Sequence, residues 1–379
     1  MPEASDEEAK VIIVGAGVIG ASVAYHLAKR GVRSTIIEKC GVACASSGKA
    51  GGFLAYDWCD RDEVGLLARP SFKMHEKLSK ELGRDVNYRK LDTYSTTLVG
   101  RGGSKKRNKA SSTISWVDGD VQISGISRLG STTTTAQVHP RKLTEAFIDA
   151  AEEKCGTKVV IGKVIGVDMD GRRVKAVNVE FGNSPTVRKI RCSTLILTLG
   201  PWSFSGWFEQ IPPVLPQKAA SIVVEGEVGA QALFTLFIDK GQRSEPEVYP
   251  RPDGTVYICG SAQQEPLPDD PKEIHPHSHD TGRLKKFARV ISRTLAENEE
   301  SATEQACYLP GSPDGIPIIG KVPDTDDVYI ATGHSCWGIL NSPATGAAMA
   351  DLVVDGKSDT IDVRPFSPSR FKRAVSPLL

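Results

Sequence analysis

The stretch KVIIVGAGVIGASVAYHLAKRGVRSTIIEK, residues 10–39, decides how this chain folds. Lys10 to Val14 is short, apolar and β-branched, the pattern of a buried strand. Gly15, Gly17 and Gly20 make a tight turn, and Val18, Ala21, Ala24 and Leu27 recur behind it at helical spacing. Gly31 stops the helix as a C-cap, and Ser34 to Glu38 supplies a second strand. Strand, crossover helix and strand form one βαβ unit, whose strands must run parallel.

That unit carries a ligand signature. Where glycines replace side chains at Gly15, Gly17 and Gly20, the backbone N–H groups through Val18 and Ile19 can approach a pyrophosphate at the positive helix end. Glu38, 18 residues after Gly20 and followed by Lys39, stands where an acid binds the ribose hydroxyls of an adenosine. The same carboxylate would repel the 2′-phosphate of NADP.

Two further stretches separate FAD from NAD. In CASSGKAGGFLA, residues 44–55, Ser46, Ser47, Lys49, Ala50 and the Gly51–Gly52 pair offer hydroxyls, a cation and backbone donors to a phosphate and a ribityl chain. In YIATGHSCWGILNSPATG, residues 329–346, a strand ends at Gly333, and a turn through Gly338 and Ile339 leads to a helix expected to be capped by Ser342 with Pro343 at its first position. Reduced flavin carries negative charge on its pyrimidine edge, which a helix amino end stabilises by a few tenths to about 2 kcal/mol. NAD has no comparable need.

Between these motifs the pattern predicts helices over 72–82, from His139-Pro140 to Cys155 and over about 282–297, and a strand over 86–97. Three alternating segments around 164–169, 174–179 and 186–190 read as a meander, and Asp253-Gly254 as a hairpin turn in a separate antiparallel sheet. The expected fold is α/β: a Rossmann-type FAD-binding domain of a parallel sheet plus a three-stranded β-meander, and a discontinuous α+β substrate domain on an antiparallel sheet. The expected division is 1–85, 136–205 and 303–379 for the first domain, and 86–135 and 206–302 for the second.

Bulk properties narrow the function further. With 47 Lys and Arg against 46 Asp and Glu, no net field draws the chain to nucleic acid or an anionic surface, so a small-molecule substrate is expected. No apolar run suits a membrane span, and the acidic start MPEASDEEAK lacks the features of a signal or transit peptide, which suggests a cytoplasmic protein. Eight scattered cysteines then imply free thiols and no disulfide. His275, His277 and His279 alternate in a polar loop without a carboxylate or thiol frame, and no metal is expected. The basic stretch RGGSKKRNKASS, residues 101–112, reads as a mobile surface loop.

Taken in order, GAGVIGASVAYHLAKRG, SSGKAGG, VHPRKLTEAF, LILTLGPWS, SPDGIPIIG, ATGHSCWGI and SPATG resemble the D-amino-acid-oxidase-like superfamily, which includes glycine oxidase and sarcosine oxidase. SGKAGGFLA followed by the DWC element at 57–59 is most similar to a eukaryotic branch of oxidoreductases without an assigned substrate. The resemblance implies that the residues named above hold FAD, that Gly200 and Trp202 pack near it, and that Gly333 to Ile339 border the flavin. It also implies oxidation of an amine or related small molecule by hydride transfer to flavin, with His334 and Trp337 as candidate catalytic residues.

Two positions qualify that implication. Amino-acid-oxidising relatives often carry an Arg where this chain has Leu309, and Leu cannot clamp a carboxylate. Cys307 stands where sarcosine-oxidase relatives attach flavin covalently, although a buried thiol packs equally well as a small hydrophobe. An FAD-binding regulatory or scaffold protein with little turnover remains the alternative to an enzyme.

Overall fold

The computed structural model describes residues 7–100, 113–182, 186–203 and 206–371. The basic stretch 101–112 lies outside the described residues.

The opening βαβ unit forms as its pattern requires. Val11–Val14 is buried along its whole length and lies between Thr35–Glu38 and Thr194–Leu197, all parallel. The six-stranded sheet runs Ile318–Lys321, Val328–Thr332, Thr194–Leu197, Val11–Val14, Thr35–Glu38 and Lys158–Ile161, and only the first of these is antiparallel to its neighbour. Such continuous apolar strands need cover on both faces. Helices Val18–Lys29, Pro140–Cys155 and Gly338–Asp355 cover one face; the meander Lys163–Asp170, Arg173–Glu180 and Val187–Arg191 packs on the other. This is the Rossmann-type arrangement expected.

A second, antiparallel-rich sheet has the path Gln263–Gln264, Leu215–Glu225, Thr255–Cys259, Glu247–Pro250, Gln231–Asp239, Asp92–Gly100 and Val121–Gly130. Thr303–Gly311 pairs with Leu215–Glu225 along nine residue pairs, so the chain reaches this sheet again before returning to Ile318–Lys321. Helix Ser278–Ile291 packs on its outer face through Leu284, Phe287, Ala288 and Ile291.

Several boundaries differ from the sequence reading. The helix expected over 72–82 begins at Val64 and runs to Glu81, passing through Pro70. Pro70 removes the hydrogen bond to the carbonyl of Leu66, and Leu66 is exposed, so the interrupted turn lies at the surface. The strand expected over 86–97 is two strands, Arg89–Lys90 and Asp92–Gly100. The loop after Cys40 holds a helical turn, Ser46–Lys49, and a strand, Phe53–Ala55. The helix expected near 282–297 is Ser278–Ile291 followed, after a break at Ser292, by Arg293–Ala296. Among the described residues no helix is long and apolar enough to cross a membrane.

The terminal helix also starts early. It begins at Gly338, not at Pro343, and Ser342 and Pro343 lie inside it. Pro343 lacks the N–H that the Ile339 carbonyl would accept, but that oxygen receives Ser342 Oγ at 3.0 Å and His75 Nε2 at 3.1 Å instead. With its backbone deficit met by these two donors, one from the helix and one from a distant helix, the helix extends five residues further than a proline cap would allow. Ser22 Oγ donates to the Ser342 carbonyl at 2.8 Å, tying this helix to the helix of the opening unit.

Candidate active site

Strand ends and helix starts converge on one elongated cavity of about 990 Å³, at the upper end of the range usual for cofactor sites. At one end it is walled by Gly15, Gly17, Val18, Ile19, Glu38 and Lys39, and at the other by His334, Trp337, Gly338 and Ile339. Residues more than 300 positions apart in sequence thus line one cavity.

At the first end, Gly15 has φ +109°, and a Cβ there would lie 2.5 Å from the carbonyl oxygen of Thr198. Only glycine lets the turn pass so close to the neighbouring strand end. Glu38 holds this turn: Oε2 accepts from Ala16 N–H at 2.7 Å and Oε1 from Cys40 N–H at 2.9 Å. Ser47 Oγ accepts from Val18 N–H at 2.8 Å, so the Ser46–Lys49 turn meets the first helix at its amino end. Lys39 and Lys163 both reach Asp269, at 3.0 and 2.9 Å.

One expectation fails here. Cys40 and Cys44 form a disulfide, with Cα atoms 6.3 Å apart. The turn through Gly41, at φ +147°, and Ala43, at φ +52°, folds the chain back within four residues and faces the two sulfurs. Scatter along a sequence does not reveal such a local reversal. The other six cysteines are free.

Between the two ends, Ser46, Ser47, Ala50, Gly51 and Gly52 line the same cavity, as do Gly200 and Trp202. Trp202 Nε1 donates to the Pro268 carbonyl at 2.8 Å, which fixes the indole. Lys49 is half-buried outside this lining, and burial pulls its ammonium below the usual range. Its backbone carbonyl accepts from Gln305 Nε2 at 3.0 Å.

At the far end, Gly333 turns the chain at φ +76° out of Val328–Thr332 and into Ser335–Trp337, before the terminal helix begins. His334 is buried, its Nε2 lies 3.0 Å from Thr345 Oγ1, and burial pushes its pKa down to about 3. It is a neutral imidazole. Cys336 has exposed surface, but that surface opens into the cavity, where burial raises the thiol. Cys307 is buried in the wall and its thiol is pushed up to about 11, again chiefly by burial.

These features match an FAD dependent oxidoreductase family, DAO, over residues 10–352. The chain belongs to the DAO family. It is 28% identical to "Putative oxidoreductase C1F5.03c" of Schizosaccharomyces pombe, over 94% of this chain and 97% of that protein. It is 26% identical to a glycine oxidase of Pseudomonas aeruginosa, over 95% and 98% of the two chains. In fold it is similar to a glycine oxidase structure from Geobacillus kaustophilus, with a TM-score of 0.74, 21% identity and coverage of 96% and 99%. That last likeness concerns the fold alone.

As a DAO-family oxidoreductase the chain uses FAD, and the cavity fits it. The fit rests on the glycine turn without side chains at one end, the helix start at Gly338 at the other and a continuous lined space between.

Beyond the residues read from sequence, the DAO-family cavity has a wall that the sequence reading missed. Phe53, Trp58, Phe234, Tyr249, Tyr257 and Trp337 form a chain of aromatic contacts, with ring centroids 4.9 to 6.4 Å apart. Gly51 lies against it, since a Cβ there would be 2.5 Å from the Tyr249 ring. Glu247 stands among these rings. Leu309 and Pro310 line the same cavity, so the position of the missing Arg is indeed a wall position. The alternation Glu247-Val248-Tyr249 looks like an ordinary half-exposed strand, and only sheet pairing reveals that its polar face is the inner one.

Proposed function

We propose that this chain oxidises a small amine, passing two electrons to FAD, and that the observation carrying this is the single cavity joining a dinucleotide turn to an aromatic chamber. Bound FAD would supply the two-electron acceptor for the hydride on the carbon bearing the nitrogen, and the imine so formed would add water to give a carbonyl compound and a free amine or ammonia. Oxygen or another acceptor takes the electrons onward.

The residues divide the remaining work. Gly17, Ile19 and Gly20 offer backbone N–H groups to the pyrophosphate at the start of Val18–Lys29, whereas the Val18 N–H is held by Ser47 Oγ and the Gly15 N–H by the Ile37 carbonyl, so that these two residues shape the turn. Glu38 and Lys39 take the adenosine end. Ser46, Ser47, Ala50, Gly51 and Gly52 take the ribityl and phosphate stretch, with Lys49 behind them and not on the cavity wall. Gly200, Trp202, Gly333, Gly338 and Ile339 border the flavin, and the amino end of Gly338–Asp355 supplies positive potential to it.

His334 serves as a positioning residue: neutral, buried and held by Thr345, it fixes the turn in which the Trp337 N–H donates to the His334 carbonyl at 2.9 Å. Trp337 shapes the chamber in which the donor carbon is oriented and water excluded. The proposed domain division stays 1–85, 136–205 and 303–379 against 86–135 and 206–302; Thr303–Gly311, given to the first domain, pairs with Leu215–Glu225 of the second sheet.

Anaerobic titration of the yellow protein with a panel of amines, imino acids and hydroxy acids tests this reading. Bleaching of the flavin band by an amine is the expected outcome. Failure of every amine to bleach it would replace this reading with that of an FAD-binding scaffold.

A further inference from the structure

The inner face of the antiparallel sheet is built by register. Phe234 pairs with Glu247, Glu247 with Cys259, and Tyr249 with Tyr257, so these side chains rise from adjacent strands on one face. All five line the cavity. A carboxylate is thereby set in an aromatic wall, with Phe53, Trp58 and Trp337 closing round it from the other elements.

Glu247 is only partly partnered. Its Oε2 accepts from the Tyr249 hydroxyl and from Cys259 Sγ, the latter at 3.7 Å, whereas Oε1 has no protein donor among the described residues. The cations lining the cavity, Lys39 and Lys163, sit at the adenosine end and are both held by Asp269. Arg251, just past the end of that strand, donates to the Ala50 carbonyl at 3.0 Å, lies over Tyr257 and does not line the cavity. Where a carboxylate clamp would stand, the wall offers Leu309 and Pro310.

We infer that the chamber selects a cationic amine without a carboxylate, its ammonium N–H donating to Glu247 Oε1 and its body lying against the rings of Trp58, Phe234 and Trp337. This rests on, and deepens, the amine-oxidation reading. A carboxylate buried without a cation is costly, and an arriving ammonium supplies the missing charge and donor together. Aromatic faces add attraction for the same cation. An amino acid would bring a second, negative group into a chamber whose lining, among the described residues, holds a carboxylate and no cation outside the adenosine end. Burial pushes the Glu247 carboxyl upward, which suits it to take a proton from the bound ammonium and leave the nitrogen lone pair that oxidation of the C–H bond requires.

The test uses the FAD-loaded protein and two nearly isosteric probes that cannot be oxidised, benzamidine as cation and benzoate as anion, with binding read from the shift of the flavin absorbance bands. Benzamidine is expected to bind at least about tenfold more tightly than benzoate, and Glu247→Gln to remove most of that preference. The comparison within the unaltered protein needs no variant, and retention of FAD verifies the fold of Glu247→Gln. Benzoate binding as well as benzamidine, or an unchanged preference in Glu247→Gln, would overturn the inference. If benzamidine binds through Glu247 and yet no amine bleaches the flavin, the chamber assignment stands and the oxidation reading alone fails.

Discussion

The Glu38 carboxylate accepts the Ala16 N–H at 2.7 Å, locking the end of the second strand onto the glycine turn that follows the first. Its other oxygen takes the Cys40 N–H at 2.9 Å. A residue that sequence spacing assigns to a ribose is therefore also a structural clasp, and the two uses are compatible because a carboxylate offers about four lone-pair sites.

Glu38→Ala should consequently damage both folding and cofactor retention. Two backbone N–H groups lose their acceptor, which costs about 2 kcal/mol in total for partly buried groups, and FAD affinity should fall at least about tenfold with loss of the ribose contact. Thermal unfolding with and without added FAD separates the two effects. Retention of FAD through dialysis at the level of the unaltered protein would remove Glu38 from the cofactor site.

FAD should be held without a covalent bond. Cys307 is the cysteine that the family resemblance marks for attachment, but burial holds its thiol at about 11, so the nucleophilic thiolate is scarce at neutral pH. Precipitation with acid should leave all yellow colour in the supernatant, and Cys307→Ala should purify with its normal flavin content. Colour retained in the washed pellet contradicts this.

How far the sequence carried the reading depends on the range of the interaction concerned. The opening βαβ unit and the meander were legible because each rests on local periodicity and on turn residues at its ends. The start of the terminal helix was misplaced because Pro343 is a strong local signal, and its missing N–H is compensated by His75 from 264 residues away. The aromatic wall was invisible for the same reason: Phe53, Phe234, Tyr249 and Trp337 acquire a common face only through sheet pairing and packing between distant elements. Trp58 was present in the DWC element that marks the resemblance, but its role depends on those partners.

The Cys40–Cys44 disulfide predicts a thiol count. Denatured protein that has never met a reductant should titrate six thiols, and reduced protein eight. Replacing both cysteines by Ser should loosen the loop beside Glu38, raising the FAD dissociation constant while leaving the aromatic chamber unchanged. Eight thiols before reduction would show that the pair is open in the isolated protein.

Acid should destabilise the fold through buried histidines. His26, His75 and His139 are each pushed down to about 4 and His334 to about 3, mainly because burial disfavours the charged ring. In the unfolded chain they titrate near 6.5. Between about pH 6.5 and pH 4 the unfolded state therefore binds protons that the folded state does not, and stability falls as pH falls, by up to about 1.4 kcal/mol per pH unit for each ring. Above about pH 7 all four are neutral in both states, and their contribution is constant. His75 isolates the effect because its Nε2 donates to the Ile339 and Leu340 carbonyls at 3.1 and 3.0 Å, a task that a glutamine amide can attempt without titrating. Urea unfolding of His75→Gln at pH 7, 6 and 5 should show a slope of stability against pH reduced by about a quarter, the share of one ring in four. A loss of stability that is the same at every pH would mean that His75 acts through its hydrogen bonds alone and contributes nothing to the acid sensitivity.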